Sequence, residues 1–483
     1  MPDDLKQKTI SGVSWSFVEQ VLARGVNFII GIILARLLSP SDYGLVGMLG
    51  IFIAISQLFI DGGLASALIQ QKTPTEKDFS TVYIINLVMS VLLYVVLYCF
   101  APVIANFYSQ PLLQTLLRVL SLSLIIGSVA SVQSTLLSIR IDFRTKTYIS
   151  ILSSILSGII GIICAYNGLG VWALVIQTLT YSSANSILTL LFVRWIPKLS
   201  FSIDSFKRLF SFSSKILAAS IISTIYDNAY PLVIGKRFTA ADVGLYSRAG
   251  QFPGVANSTI SGALTRVAFP MLSKIQDDDN RLLRVYEKYV QLACYIIFPI
   301  LMGLCGCARP LISLLLTDKW VECVPLMQIL CFGTITNVIT KINLNLLYVK
   351  GRSDLVLRLE ILKKSIAFGI LFLSMLFNLK IMCIGQVIYA YIALYLNTYY
   401  TKDILGYGFR DQIKSVFPYF SLSLIILAES LLIAFMIKNN LLSLIVAIVI
   451  CSTTYILISK KTKIYAYNES INLIKEIIHR FNK

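Results

Sequence analysis

The chain has 483 residues, of which 57% are hydrophobic and 14% charged, with a mean hydropathy of +0.78. Soluble domains carry roughly 25% charged residues, so too little polar side chain is left here to cover a water-soluble core. That excludes a soluble enzyme, a DNA-binding domain and a disordered chain. It leaves a polytopic helical membrane protein whose net charge of +18 needs its own explanation.

A membrane-spanning helix needs about 20 mostly apolar residues. In chain order, fourteen stretches qualify: 10–37, 43–69, 79–104, 112–138, 145–166, 168–193, 208–235, 243–270, 284–308, 322–348, 354–377, 380–401, 412–437 and 441–459. The first contains Glu19 and Arg24 and lacks a small-residue cleavage site, so it reads as a membrane helix rather than a signal peptide. Segments 10–37 and 208–235 are among the least apolar. The fold class expected is therefore all-α, with about 14 transmembrane helices joined by short connections.

The basic residues orient these helices, because cytoplasmic loops concentrate Lys and Arg. With the amino terminus inside, 27 of the 42 basic residues fall in inside tails and connections and 7 in outside ones. Both termini are expected to be cytoplasmic. The bias accounts for most of the +18 without any nucleic acid, and attraction of the loops to anionic membrane lipid follows from it. Nine cysteines without a CxxC motif, and a single histidine at His479, offer no metal or haem site, so no cofactor is expected. There is no Walker motif, no HExxH, and no large external loop of the kind a membrane glycosyltransferase or polymerase would carry; the chain does not read as an enzyme.

The chain repeats itself. Ser39-Pro40-Ser41-Asp42-Tyr43-Gly44-Leu45 precedes the second segment, and Thr239-Ala240-Ala241-Asp242-Val243-Gly244-Leu245 the eighth, at an offset of 200. Locally this is a helix cap, with Ser39 or Thr239 at the N-cap and Asp three residues on. A second echo, Pro111 to Gln114 against Pro325 to Gln328, has an offset of 214, so the third-helix region of the second half is longer. The repeat predicts two six-helix lobes, residues 1–197 and 198–403, plus two C-terminal helices and a tail in 404–483. Duplicated helical halves are typical of transporters that rock about a central site. Pro231, Pro253 and Pro299 are candidate hinges or static bends.

Eight basic residues remain inside the helices. A charge at the bilayer centre costs about 2.5–3.5 kcal/mol on insertion scales, so each needs a partner, a wet cavity or a function. Glu360 and Lys364 are i,i+4 partners, and Lys363 and Arg118 can snorkel to an interface. Ser16, Gln20, Arg24, Asn27 and Gly31 form one polar stripe on the first helix. Arg248, Val255, Thr259, Gly262 and Arg266 share one face of the eighth, its arginines roughly 27 Å apart at 1.5 Å per residue. Lys215 with Asp227, and Lys341 with Asn337 and Asn345, add to helices seven and ten. Arg24, Lys215, Arg248, Arg266 and Lys341 are the candidate substrate-binding residues, since such a cationic cavity fits an anion and arginine matches phosphate oxygens. The same charges can instead be interhelical ion pairs. Glu19, Asp61, Asp227 and Glu429 are candidates for coupling transport to an ion.

Several stretches resemble a known family: Trp15 to Gln20, Ala35 to Leu45, Asp61 to Gln70, Gly168 to Ala173 and Lys350 to Leu355. Over about helices 1–12 the chain is similar to the Wzx-type polysaccharide transporters of the multidrug/oligosaccharidyl-lipid/polysaccharide (MOP) exporter superfamily. The resemblance implies a bacterial inner-membrane flippase that exports an undecaprenyl-pyrophosphate-linked oligosaccharide for O-antigen (lipopolysaccharide), capsule or exopolysaccharide biosynthesis. It implies ion-coupled alternating access, cavity arginines on the pyrophosphate, and polysaccharide polymerase and glycosyltransferases as partners. A drug or cation antiporter of the MATE kind, an integral-membrane glycosyltransferase or polymerase, and a scaffold for a polysaccharide machine are the alternatives. The antiporter predicts an acidic cavity, against the excess of buried cations.

Overall fold

The computed structural model describes residues 25–71, 73–198 and 200–469. Within them every one of the fourteen expected segments is helical. We label them α1 (Gly25–Leu37), α2 (Pro40–Asp61, continued by Leu64–Gln70), α3 (Glu76–Tyr108), and α4, which runs in three pieces, Leu112–Leu120, Leu122–Ser128 and Ser131–Ile139. There follow α5 (Phe143–Tyr166), α6 (Val171–Phe192), α7 (Ile203–Arg237), α8 (Ala240–Ser273), α9 (Asp279–Gly306), α10 (Cys323–Val349), α11 (Ser353–Ser374), α12 (Leu379–Leu405), α13 (Phe409–Met436) and α14 (Asn440–Lys461). Among the described residues, eight helices are long and apolar enough to cross a membrane on their own, and α4 makes a ninth if its bent pieces count as one span. Helices α6, α7, α8 and α11 fall outside that set because polar or charged side chains interrupt their apolar runs.

The chain divides into two compact units, with the break between Gly244 and Leu245. In the first, Ile30 and Leu34 of α1, with Leu38 just after it, pack on Ala165 of α5 and on Ala173 and Leu174 of α6. The α2 helix breaks at Gly62 and Gly63, whose φ angles of 51° and 71° lie in the left-handed region open to glycine. Gly63 also sits against α7, where an added Cβ would lie 2.9 Å from the Ser213 carbonyl oxygen.

Both repeat elements are capping boxes. The Ser39 hydroxyl accepts from the Asp42 amide (3.3 Å) while the Asp42 carboxylate accepts from the Ser39 amide (2.9 Å). Thr239 and Asp242 repeat the arrangement at 3.2 and 3.0 Å. The tertiary contact explains why the glycine recurs with the cap. A Cβ on Gly44 would overlap the Ala240 carbonyl, and one on Gly244 the Pro40 carbonyl. The two helix starts thus cross backbone to backbone, each glycine making room for the other repeat.

At the basic-connection end of this unit, Asp78 of α3 is fully buried and pairs with Arg208 of α7 at 2.6 Å. The connection between α6 and α7 is clasped at the same place. The Trp195 indole donates to Glu76 (3.1 Å) and the Ser202 amide to the Thr81 hydroxyl (3.1 Å).

The second unit is built on α9, α10, α12, α13 and α14. Its core runs through Tyr286, Val290, Phe298 and Met302 of α9, Ile335 and Leu346 of α10, and Tyr419 and Ile426 of α13. A buried polar triangle is set into it. Tyr286 donates to Asn343, the Asn343 amide to Gln412 (3.2 Å), and the Gln412 amide to Tyr286 (3.2 Å) and to Thr401 (3.1 Å). Four helices are tied at one level, with the polar groups satisfying each other. The extra length of the second half proves to be a short helix, Ala308–Leu316, and a 3-10 turn, Asp318–Trp320, between α9 and α10.

Candidate functional site

The expected site residues divide by location. Glu19 and Arg24 lie outside the described residues, as do the side chains of Lys215 on α7 and Arg266 on α8. The structure therefore places Arg248, Lys341, Asp61, Asp227 and Glu429.

Lys341 has the clearest setting. The exposed residues of α10 are Asn337, Lys341 and Tyr348, all polar and at spacings of 4 and 7 on one face, while the rest of the helix is buried or half-buried. Beside them Asn345 is half-buried, and its amide nitrogen has no hydrogen-bond partner among the described residues. An exposed polar stripe is costly against lipid, so this face belongs to a wet space.

On α7, Ser223 and Asp227 are exposed one turn apart, and Asn228 beside them donates to the Thr224 carbonyl (2.9 Å). On α8, Ser247 and Gly254 are exposed, and Gln251, Val255, Ser258, Thr259 and Gly262 are half-buried. Arg248, next to Ser247, is only 9% exposed. Its guanidinium donates to Gln251 and stands 6.0 Å from the ring of the fully buried Trp320. Gln251 and Trp320 are thus the residues that sequence reasoning missed. Gln251 was legible as the residue one turn along from Arg248; Trp320 sits on the inserted turn 72 residues away, with no local signal.

The acids part company. Asp61, at the α2 break, accepts from the Gln57 amide (3.2 Å). Asp227 is exposed on α7. Glu429 of α13 has a buried carboxylate oxygen without a hydrogen-bond partner among the described residues. Away from these, Glu360 pairs with Lys363 at 2.5 Å, and the Lys363 side chain is buried instead of reaching an interface; Arg118 stands 4.2 Å from the Tyr98 ring. Among the described residues no group of acids, cysteines or histidines is arranged to hold a metal ion.

The polysaccharide biosynthesis protein family model matches residues 33–325, well over half the chain. The chain belongs to that family. It is similar, at 28% identity over 74% of each chain, to the teichuronic acid biosynthesis protein TuaB of Bacillus subtilis. It is 27% identical, over 90% of each chain, to the lipopolysaccharide biosynthesis protein WzxC of Escherichia coli. Its fold is that of the lipid II flippase MurJ in an inward closed conformation, with a TM-score of 0.73 over 94% of this chain and 99% of that one, at 15% identity. The protein is thus a multi-span membrane protein of polysaccharide biosynthesis with a transporter fold.

Proposed function

We propose that the chain is a flippase that carries an undecaprenyl-pyrophosphate-linked oligosaccharide across the bacterial inner membrane by ion-coupled alternating access. The observation that carries this reading is the open polar face of α10, with Lys341 among amides on a membrane helix. Amides and hydroxyls match a sugar, and the ammonium matches a phosphate. Family membership and the flippase-like fold supply the reaction class.

In this reading the lobes are residues 1–197 and 198–403, followed by 404–483, and both termini are cytoplasmic. The pyrophosphate enters from the cytoplasm to Arg266, Lys215 and Lys341, passes to Arg24, and leaves by Arg248. Gln251 and the Trp320 ring hold the Arg248 guanidinium ready. Glu19, Asp61, Asp227 and Glu429 are the groups through which an ion couples. Polymerase and glycosyltransferases act before and after the flip on the same lipid-linked substrate. A drug or cation antiporter would instead present acids alone on its open faces; Asp227 is open on α7, and α10 presents a lysine.

The test is export in cells whose only copy is Lys341→Ala. One charge-assisted contact is worth about 1.5–3 kcal/mol, so flipping should fall at least tenfold while the protein still inserts. Lipid-linked oligosaccharide should accumulate on the cytoplasmic leaflet. Wild-type export by this variant would refute the reading.

A further inference from the structure

A cleft of about 880 Å³ opens in the second unit between α9, the α12–α13 turn, α13 and the end of α14. It shares no lining residue with the polar faces of α7, α8 and α10. Along α13 the lining changes from Asp411, Lys414 and Ser415 to Leu422 and Ile425, a rise of roughly 21 Å at 1.5 Å per residue. The cleft therefore has a polar end beside the basic connections and an apolar end within the membrane.

The polar end is built. Glu287 of α9 accepts from the Ser415 hydroxyl at 2.6 Å, the Gln291 amide donates to Ser415 at 2.9 Å, and Tyr419 donates to Gln291 at 3.2 Å. Tyr407, in the wall, is 7% exposed. Its hydroxyl is buried beside Ser415. The Lys288 ammonium stands 5.0 Å from the Tyr465 ring, which fixes the segment after α14 at the cleft's edge.

The charges select the occupant. Among the described lining residues, Glu287 and Asp411 stand with one cation, Lys414, and Lys288 lies at the rim beside Tyr465. A purely anionic headgroup lying in the cleft would meet both carboxylates as well as the cation. A zwitterion with a phosphate and a terminal ammonium satisfies all three. We propose that the cleft binds one aminophospholipid, phosphatidylethanolamine, from the leaflet that faces the basic connections. Its ammonium lies on Glu287 and Asp411, its phosphate on Lys414, and one acyl chain along Leu422, Ile425 and Ile458. The site is separate from the transport reading and stands without it.

The full-length protein, purified and exchanged into lipid nanodiscs, tests this by native mass spectrometry with phosphatidylethanolamine and phosphatidylglycerol as competing probes. Wild type should retain phosphatidylethanolamine in preference. Asp411→Asn keeps an acceptor for the helix cap on the Gly408 amide, so it should fold, yet lose about tenfold in that preference through one charge-assisted bond. Lys414→Ala, on an exposed side chain, should weaken both lipids. Retention of phosphatidylglycerol equal to or above phosphatidylethanolamine, or retention unchanged in both variants, would overturn the proposal.

Discussion

A Gly44→Ala substitution puts a methyl group where the Ala240 backbone already stands. Ordinary van der Waals contact begins near 3.4 Å, so the two helix starts must part by an ångström or more. Overpacking costs about 1–3 kcal/mol when side chains can rotate aside. Here the obstacle is a carbonyl held by the Thr239–Asp242 capping box, which leaves no rotamer to change. We therefore expect the upper end, about 3 kcal/mol. Gly244→Ala should cost the same, through the Pro40 carbonyl. Both methyls force one and the same separation, so the double variant should cost little more than the worse single one. Gly369→Ala on α11 is the control: nothing lies within 4 Å of its added Cβ, and a helical glycine-to-alanine change is neutral or gains up to about 1 kcal/mol. Thermal unfolding of the purified proteins in one detergent reads all four. If Gly44→Ala melts with wild type, or the two costs simply add, the reciprocal contact is not what holds these helix starts.

Other variants probe other ties. Arg208→Ala should cost about 1–2 kcal/mol, because Asp78 is buried while Arg208 is half in solvent; the loss should appear as faster hydrogen exchange and proteolysis across residues 194–208. Gln412→Ala breaks two sides of the buried triangle and leaves Asn343 and Tyr286 short of partners, and should cost about 2–3 kcal/mol, seen as a lowered melting temperature with no change in the N-terminal unit's exchange. Arg248→Lys keeps the charge but loses the planar group over Trp320. It should lower export several-fold with insertion intact, and full export would show that charge alone suffices there.

Much of the fold was readable because the bilayer imposes a length. Apolar runs near 20 residues marked fourteen helices, and all fourteen are helical within the described residues. The caps at Ser39 and Thr239 were readable because a capping box closes within four residues. The offset difference between the repeats pointed to added length in the second half, and the helix Ala308–Leu316 is that length. On α8, Ser247 and Gly254 are exposed beside the expected face, whose Val255, Thr259 and Gly262 are half-buried. Spacing marks a polar arc, and neighbours decide which part of the arc stays open. Arg248 is covered, while Ser247 and Gly254 stay exposed and Gln251 half-buried. Pairings across long separations, such as Asp78 with Arg208, left no periodic signal at all.

The sequence by itself determined what can be written as a local or compositional rule. These are the membrane class, the number of helices, their caps, the internal repeat and the family resemblance. Each depends on the hydropathy of a run or on bonds between near neighbours, which do not need the rest of the chain. The tertiary structure decided which polar groups face water and which face each other. It set Lys341 on an open stripe, covered Arg248 with Trp320, joined the two glycines of the repeat, and opened a two-ended cleft beside Glu287. Those outcomes turn on which helices meet, and residues 60 to 200 positions apart in the chain become neighbours only when they do.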